Sequence, residues 1–194
     1  MLDGISDSPA AALAGAALVG WLSWSFVEYL IHGILSHRFR TPVSPLHWGH
    51  HRTPAAVFTS PAAWLPTALA VFGLAAWIAG IATAAAFMAG LLAGFARYEY
   101  IHWRIHFREA RTKRQAKLRS HHLAHHLVNF RAYHGVTTRF WDHVFRTLPP
   151  GWENDYARAA GRPPIEGPSN LRASWSPRAT WTTVANAIRN GSPR

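Results

Sequence analysis

The chain has 194 residues, with twenty Lys and Arg against nine Asp and Glu, thirteen histidines and no cysteine. This length suits one domain with a buried core, and the lack of cysteine excludes disulfides, iron–sulfur clusters and thiolate-held metal, leaving nitrogen and oxygen as ligands. The net charge of +11 is unevenly placed: seventeen basic residues lie at or after Arg97, and the other three (Arg38, Arg40, Arg52) sit between apolar stretches. Membrane topology accounts for that asymmetry, so no nucleic-acid partner is expected.

After an acidic start (Asp3, Asp7), residues 9–27 carry no charged side chain, and neither do residues 53–96. A membrane-crossing helix needs roughly 20 apolar residues. Spans are therefore expected near 9–31, 61–80 and 82–101, with Gly80 as the break between the last two. The first is read as retained, because a signal peptide begins with basic residues and this helix runs straight into histidines. Pro42, Pro45 and Pro54 mark residues 38–60 as a turn-rich connector around one short helix. Gly90-Leu-Leu-Ala-Gly94 is a small-residue pattern that lets helices approach closely in lipid. The third span leads into a basic segment (Arg108, Arg111, Lys113, Arg114, Lys117, Arg119). It reads as a solvated positive-inside flank, or as an anchor for anionic headgroups or a phosphate-bearing acyl carrier.

By the positive-inside rule both basic regions are cytoplasmic and the N-terminus is outside, in a plasma (inner) membrane. The expected fold is all-α: an integral membrane helical bundle of about three transmembrane helices with a cytoplasmic histidine-rich helical cap. Residues 1–148 form the membrane domain. Residues 149–194, rich in Pro, Gly, Ser and Arg with Trp152, Trp175 and Trp181, read as a loosely ordered cytoplasmic tail that drapes over the site.

Ten histidines fall into four clusters: His32 and His37; His47, His50 and His51; His102 and His106; His122, His125 and His126. Neutral imidazole is the commonest ligand for first-row transition metals, and ten suit two ions with about five each. Positions i, i+3 and i+4 share a helix face, so each His-x-x-His-His forms a stripe and His102 and His106 pair. His32 and His37 are five apart, about 140° around an ideal helix, and need a helix end or local irregularity to converge. Glu28 lies four residues before His32 and Glu99 three before His102, where an intramembrane carboxylate can support a ligand ring. Asp142 is a third candidate for that role.

Glu28-Tyr-Leu-Ile-His32 with His37, His-x-x-His-His at 47–51, His-x-x-x-His at 102–106 and Ser120-His-His-Leu-Ala-His-His126 resemble the fatty acid hydroxylase superfamily. The stretch His134-Gly-Val-Thr-Thr-Arg-Phe-Trp-Asp-His-Val-Phe-Arg-Thr147 resembles its closing signature. The resemblance, over roughly residues 20–148, implies a di-iron, O2-dependent membrane oxidoreductase acting on a lipid. In the fatty acid 2-hydroxylases of that family ten histidines bind metal, which implies His32, His37, His47, His50, His51, His102, His106, His122, His125 and His126 here, with His121 outside the ligand set. The family usually has an aromatic residue where His134 stands and often glycine where Arg146 stands. His134 is then an extra ligand, a supporting donor or simply polar. The 194 residues contain no cytochrome b5-like sequence, so a separate electron-donor protein of ferredoxin or cytochrome type is expected. Zinc can replace iron on purification. Hydroxylation of a fatty acyl chain or related lipid is the favoured reading. Desaturation, carotenoid ring hydroxylation and a non-catalytic metal protein or transporter remain alternatives.

Overall fold

The computed structural model describes residues 9–165, and among them every regular element is helical. Seven α-helices follow in order: α1 (Pro9–Tyr29), α2 (Ser44–Arg52), α3 (Pro61–Ala79), α4 (Ile81–Phe107), α5 (Lys113–Leu127), α6 (Phe140–Val144) and α7 (Trp152–Ala160). A π-helical turn, Leu30–Leu35, directly follows α1. Residues 9–26 and 59–97 form one compact unit, and residues 27–58 and 98–165 form a second. Trp175 and Trp181 lie outside the described residues.

The first unit is built for an apolar solvent. Pro61 opens α3 at a position where its missing N–H costs nothing. Gly80, at φ +80°, separates α3 from α4 in a conformation that favours glycine. No residue of α3 is buried, and Trp77 and Ile78 are 83% and 70% exposed. A helix apolar on every side needs lipid around it. Pro9–Leu35, Pro61–Ala79 and Ile81–Phe107 are long and apolar enough to cross a membrane. The third runs past the expected end at residue 101, because polarity marks a membrane edge and not the end of a helix.

Within this unit α1 and α4 meet along a seam of glycines. A Cβ on Gly90 would lie 1.8 Å from the Ala17 carbonyl oxygen, one on Gly20 would lie 2.0 Å from that of Phe87, and one on Gly94 would lie 2.5 Å from the Trp24 Cβ. Lipid tails are as apolar as the helices, so close backbone contact supplies the attraction that hydrophobic burial supplies in water.

The second unit has an ordinary core: Ile105 of α4, Leu123 and Ala124 of α5, Ala132, Tyr133 and Val136 of the following loop, and Tyr156 and Ala159 of α7. The start of the segment expected as a loose tail is thus helix α7, with Tyr156 and Ala159 buried. Arg119 ties the unit together from inside, its guanidinium donating to the carbonyls of Ile105 (3.1 Å) and Arg162 (2.7 Å). Ile165 N–H donates to the His106 carbonyl at 2.8 Å.

Replacing Gly90 by leucine is expected to destabilise the detergent-solubilised protein by about 1–3 kcal/mol, as overpacking does, lowering its thermal midpoint. Gly73→Ala, where nothing lies within 4 Å of the new Cβ, serves as the control and leaves the midpoint unchanged or slightly raised. Equal midpoints for both variants would remove the seam from the account of this unit.

Candidate metal centre

Three helices and one irregular turn aim the histidines inward. On α2, His47 and His51 are four residues apart and only about 40° apart around the axis, whereas His50 and His51 diverge by about 100°. Each His-x-x-His-His therefore points at two places. The structure divides the rings accordingly. His50 of α2, His102 and His106 of α4, and His122 and His126 of α5 form one group. His37, which follows the π turn, joins His47 and His51 of α2 and His125 of α5 in the other. In each group the candidate ligand nitrogens lie within 4.8 Å of one another. The four-apart pair of α2 faces one group and that of α5 the other, with the third histidine of each motif crossing over. His51 stacks on His126 across the shared wall, ring centroids 4.2 Å apart.

The π turn resolves the five-residue spacing of His32 and His37. The Ser36 N–H donates to the Ile31 carbonyl five residues back, and its hydroxyl donates to the same oxygen at 2.6 Å. Residues five apart are thereby drawn towards one face. Gly33, inside the turn, leaves room for the His134 ring: a Cβ there would sit 2.4 Å from His134 Cγ. The His32 ring lies 4.6 Å from that of His47 and 4.5 Å from that of His125. Its Nδ1 donates to the His134 carbonyl at 2.5 Å, and its Nε2 is buried without a hydrogen-bond partner.

The nitrogen geometry fits a cation. In the second group the Nε2 atoms run in a closed circuit: His37–His47 2.8 Å, His47–His51 2.9 Å, His51–His125 3.1 Å and His125–His37 3.1 Å. In the first group His122 Nε2 stands 3.0 Å from those of His102, His106 and His126. An ion about 2.1 Å from each nitrogen would separate neighbours by roughly 3.0 Å at right angles and roughly 3.4 Å at tetrahedral angles. The observed spacings of 2.8–3.1 Å are those of nitrogens that could share one cation in each group. His125 Nδ1 donates to the Ala132 carbonyl at 2.7 Å, so its Nε2 carries a lone pair and not a proton. Two lone pairs packed this closely repel unless a proton or a cation lies between them.

Burial also keeps these rings neutral. It pushes His50 and His51 down to about 3 and His37 to about 2, with neighbouring imidazoles adding to the effect. His47, His122, His125 and His126 are lowered well below the usual range by the same causes. A neutral imidazole is the form that binds metal.

Two carboxylates act on the loop that carries the orienting carbonyls. Glu28 accepts from the N–H groups of Val136 (2.8 Å) and Thr137 (2.7 Å) and from the Thr137 hydroxyl (2.7 Å). Asp142 accepts from the N–H groups of His134 and Gly135, both at 2.8 Å, from the Thr147 hydroxyl at 2.6 Å and from His121 Nε2 at 3.0 Å. Burial alone would raise the Asp142 carboxyl, but its bonds from His121, Thr147 and Gly135 hold it at about 2. Nδ1 of His121, which leaves α5 beside the ligand His125, meets the Tyr156 hydroxyl. The His134 ring nitrogens make no hydrogen bond of ordinary geometry, and this residue acts on His32 through its carbonyl. Glu99 lies half-buried on α4. Gly33, Ala132, Thr137 and Tyr156 were not identifiable beforehand. Gly33 contributes space, Ala132 a carbonyl and Thr137 both its N–H and its hydroxyl, and Tyr156 lies in the segment expected as a tail.

Tyr133, at φ +60°, and Arg146, at φ +53°, hold left-handed conformations that cost a non-glycine residue about 1–2 kcal/mol. The glycine common at the position of Arg146 in the resembling family thus has a conformational reason. Tyr133 lies between the two carbonyls that orient His125 and His32, so the strain falls where the loop must face both.

Asp142→Asn retains the shape but presents an NH2 to donors that need an acceptor. Metal bound by the second group, which holds His125 and has the His32 ring beside it, is expected to weaken about 10–100-fold, while the first group keeps its ion. Chelator competition followed by metal counting reads this as a fall from two ions per chain towards one; loss of both together would refute the selective role. Acid acts on His37, His47, His50, His51, His122, His125 and His126. Their folded pKa values lie below the unfolded value of about 6.5, so the unfolded chain binds more protons and stability falls as pH drops from about 6.5 towards 3. Metal content after desalting at stepwise lower pH should decline over that window, and retention of both ions at pH 4 would contradict it.

The sequence matches the fatty acid hydroxylase family over residues 17–147. It is 32% identical to the dihydroceramide fatty acyl 2-hydroxylase FAH2 of Arabidopsis thaliana over 67% of this chain and 59% of that protein. It is 28% identical to the fatty acid 2-hydroxylase of Homo sapiens over 73% of this chain and 41% of that one. The chain thus spans about two-fifths to three-fifths of the length of these relatives. The fold is similar to that of a solved structure of full-length scs7p in which only the hydroxylase domain is visible, with a TM-score of 0.65 and 28% identity over 72% of this chain and 57% of that one. Matched over residues 17–147, which hold all four histidine clusters, the chain belongs to the fatty acid hydroxylase family.

Proposed function

We propose that the chain is a membrane-bound, O2-dependent di-iron oxidoreductase that hydroxylates a C–H bond of a lipid, a fatty acyl chain or a close relative of one. The observation that carries this reading is the pair of histidine groups sharing one wall. Relatives named as fatty acid and dihydroceramide 2-hydroxylases support the substrate class. His50, His102, His106, His122 and His126 hold one iron. His37, His47, His51 and His125, joined by the unpartnered Nε2 of His32, hold the second. Zinc can occupy the same nitrogens after purification.

Two ferrous ions bound here supply the O2 activation that an unactivated C–H bond requires. The chain's own groups do the rest. Burial keeps the imidazoles neutral, and the carbonyls of Ala132 and His134 set which nitrogen of His125 and His32 faces inward. The first group is almost wholly buried, whereas His37, His47 and His51 are half-buried. Trp48 and Phe130, with ring centroids 5.0 Å apart, rim that more open edge and each lie within 6 Å of the His37 ring. An apolar chain enters there, and the aromatic rim excludes water. Electrons come from a separate ferredoxin or cytochrome-type protein. The N-terminus lies outside a plasma (inner) membrane, with the metal site and C-terminus in the cytoplasm. Residues 1–148 carry the chemistry, and α7, at the start of the 149–194 segment, supports it.

Untargeted lipid mass spectrometry on cells expressing this chain, compared with cells expressing His125→Ala, tests the reading. A lipid that gains one oxygen only with the unmodified chain is the expected result. A lipid that loses two hydrogens would replace hydroxylation by desaturation. No change with inserted, iron-loaded protein and a supplied reductant would overturn the enzymatic reading.

A further inference from the structure

We propose that a cavity of about 360 Å³ between the start of α5 and the loop before α6 binds the phosphate of an anionic lipid headgroup. Lys113, Arg114 and Lys117 line it from α5, and Thr137, Thr138 and Arg139 line it from the loop. Among the described residues the ion pairs are His121–Asp142 and Arg158–Asp155, so none of these four cations has a carboxylate at ion-pair distance. Four like charges around one space repel one another, and an anion placed among them relieves that repulsion.

The cations are partly positioned in advance. The Arg139 guanidinium lies over the Trp152 ring, 5.9 Å from its centroid. The Thr138 hydroxyl oxygen accepts from the Phe140 N–H at 3.2 Å, which leaves its own proton to donate. Four cations and the Thr138 hydroxyl suit phosphate oxygens, the Thr137 hydroxyl being held by Glu28, and no aromatic ring lines the space to select a base or a sugar. The volume lies at the small end of the roughly 300–1,000 Å³ typical of ligand clefts, enough for a headgroup and not for an acyl chain.

Chain position argues for a lipid as the source. Lys113 follows Phe107, the last residue of the third candidate span, by six residues, with Arg108 and Arg111 between them. Basic clusters at the end of a span lie at the anionic membrane surface. The same elements lead to the metal ligands: Lys117 and Lys113 precede His122 by five and nine residues, about 8 and 14 Å along the helix. Thr137 belongs to the loop whose carbonyls orient His32 and His125. A headgroup held here therefore sits at a fixed distance from the ligand rings and touches both elements that position them. This binding does not require the reaction proposed above, and its test involves no turnover.

The test uses the full chain, metal-loaded, in neutral detergent, with thermal unfolding followed as lipid is added. Phosphatidylglycerol is expected to raise the midpoint saturably, and phosphatidylcholine is not. The double variant Lys113→Gln/Lys117→Gln should weaken the apparent phosphatidylglycerol affinity at least about tenfold, with the lipid-free midpoint and metal content unchanged. Arg40→Gln/Arg52→Gln removes the same charge at exposed positions elsewhere in this unit and should leave the affinity intact. Equal weakening by both pairs would reduce the effect to net charge and overturn the site. Glycerol 3-phosphate binding as tightly as the lipid would overturn the lipid source. Stabilisation by phosphatidylcholine equal to that by phosphatidylglycerol would overturn the anionic headgroup.

Discussion

Nine imidazoles converge in two groups whose nitrogens lie within 4.8 Å of one another, and a tenth stands beside them with an unpartnered nitrogen. Neutral lone pairs at about 3 Å repel, and the low-dielectric surroundings that forbid protonation also remove the water that would screen them. A cation held in each group would turn that repulsion into coordination and would stabilise the second unit alongside its apolar core. The two kinds of packing share helix α5. Leu123, Ala124 and His121 face the core and Tyr156, while His122, His125 and His126 face the metal groups.

The loop from Ala132 to Thr137 converts this crowding into order. Its carbonyls point at ligand rings and its N–H groups point at carboxylates. Glu28 and Asp142 therefore act at one remove, through the backbone, and both are buried because the groups they satisfy are buried. An ionised carboxylate is tolerable inside a protein when several donors surround it, and each of these has at least three. Tyr133 in a left-handed conformation and Gly33 under the His134 ring show how little freedom that arrangement leaves.

The first unit obeys a different rule. Among its described residues no polar side chain is buried, and helix α3 presents apolar side chains on every side. Its specificity lies in backbone proximity, with Gly20 and Gly90 occupying places where any side chain would collide with a carbonyl. Small residues do in lipid what large apolar ones do in the second unit's core.

Much of this was legible in the sequence because the signals are local. Uncharged runs of 19 and 44 residues imply membrane helices whatever the surrounding fold, and Gly80 ends a helix through its own backbone. The four-residue spacing of His102 and His106 follows from helix geometry alone. The five-residue spacing of His32 and His37 already demanded an irregularity, though not its form, since a π turn is stabilised by contacts such as Ser36 on Ile31 and not by composition. Only the tertiary structure divided each His-x-x-His-His between two groups, because that depends on where three helices cross. It also gave Glu28 a loop to hold across 108 residues of sequence and His121 a partner in Tyr156. Periodicity determines which way a side chain leaves its helix; what it meets there is decided by packing between elements far apart in the chain.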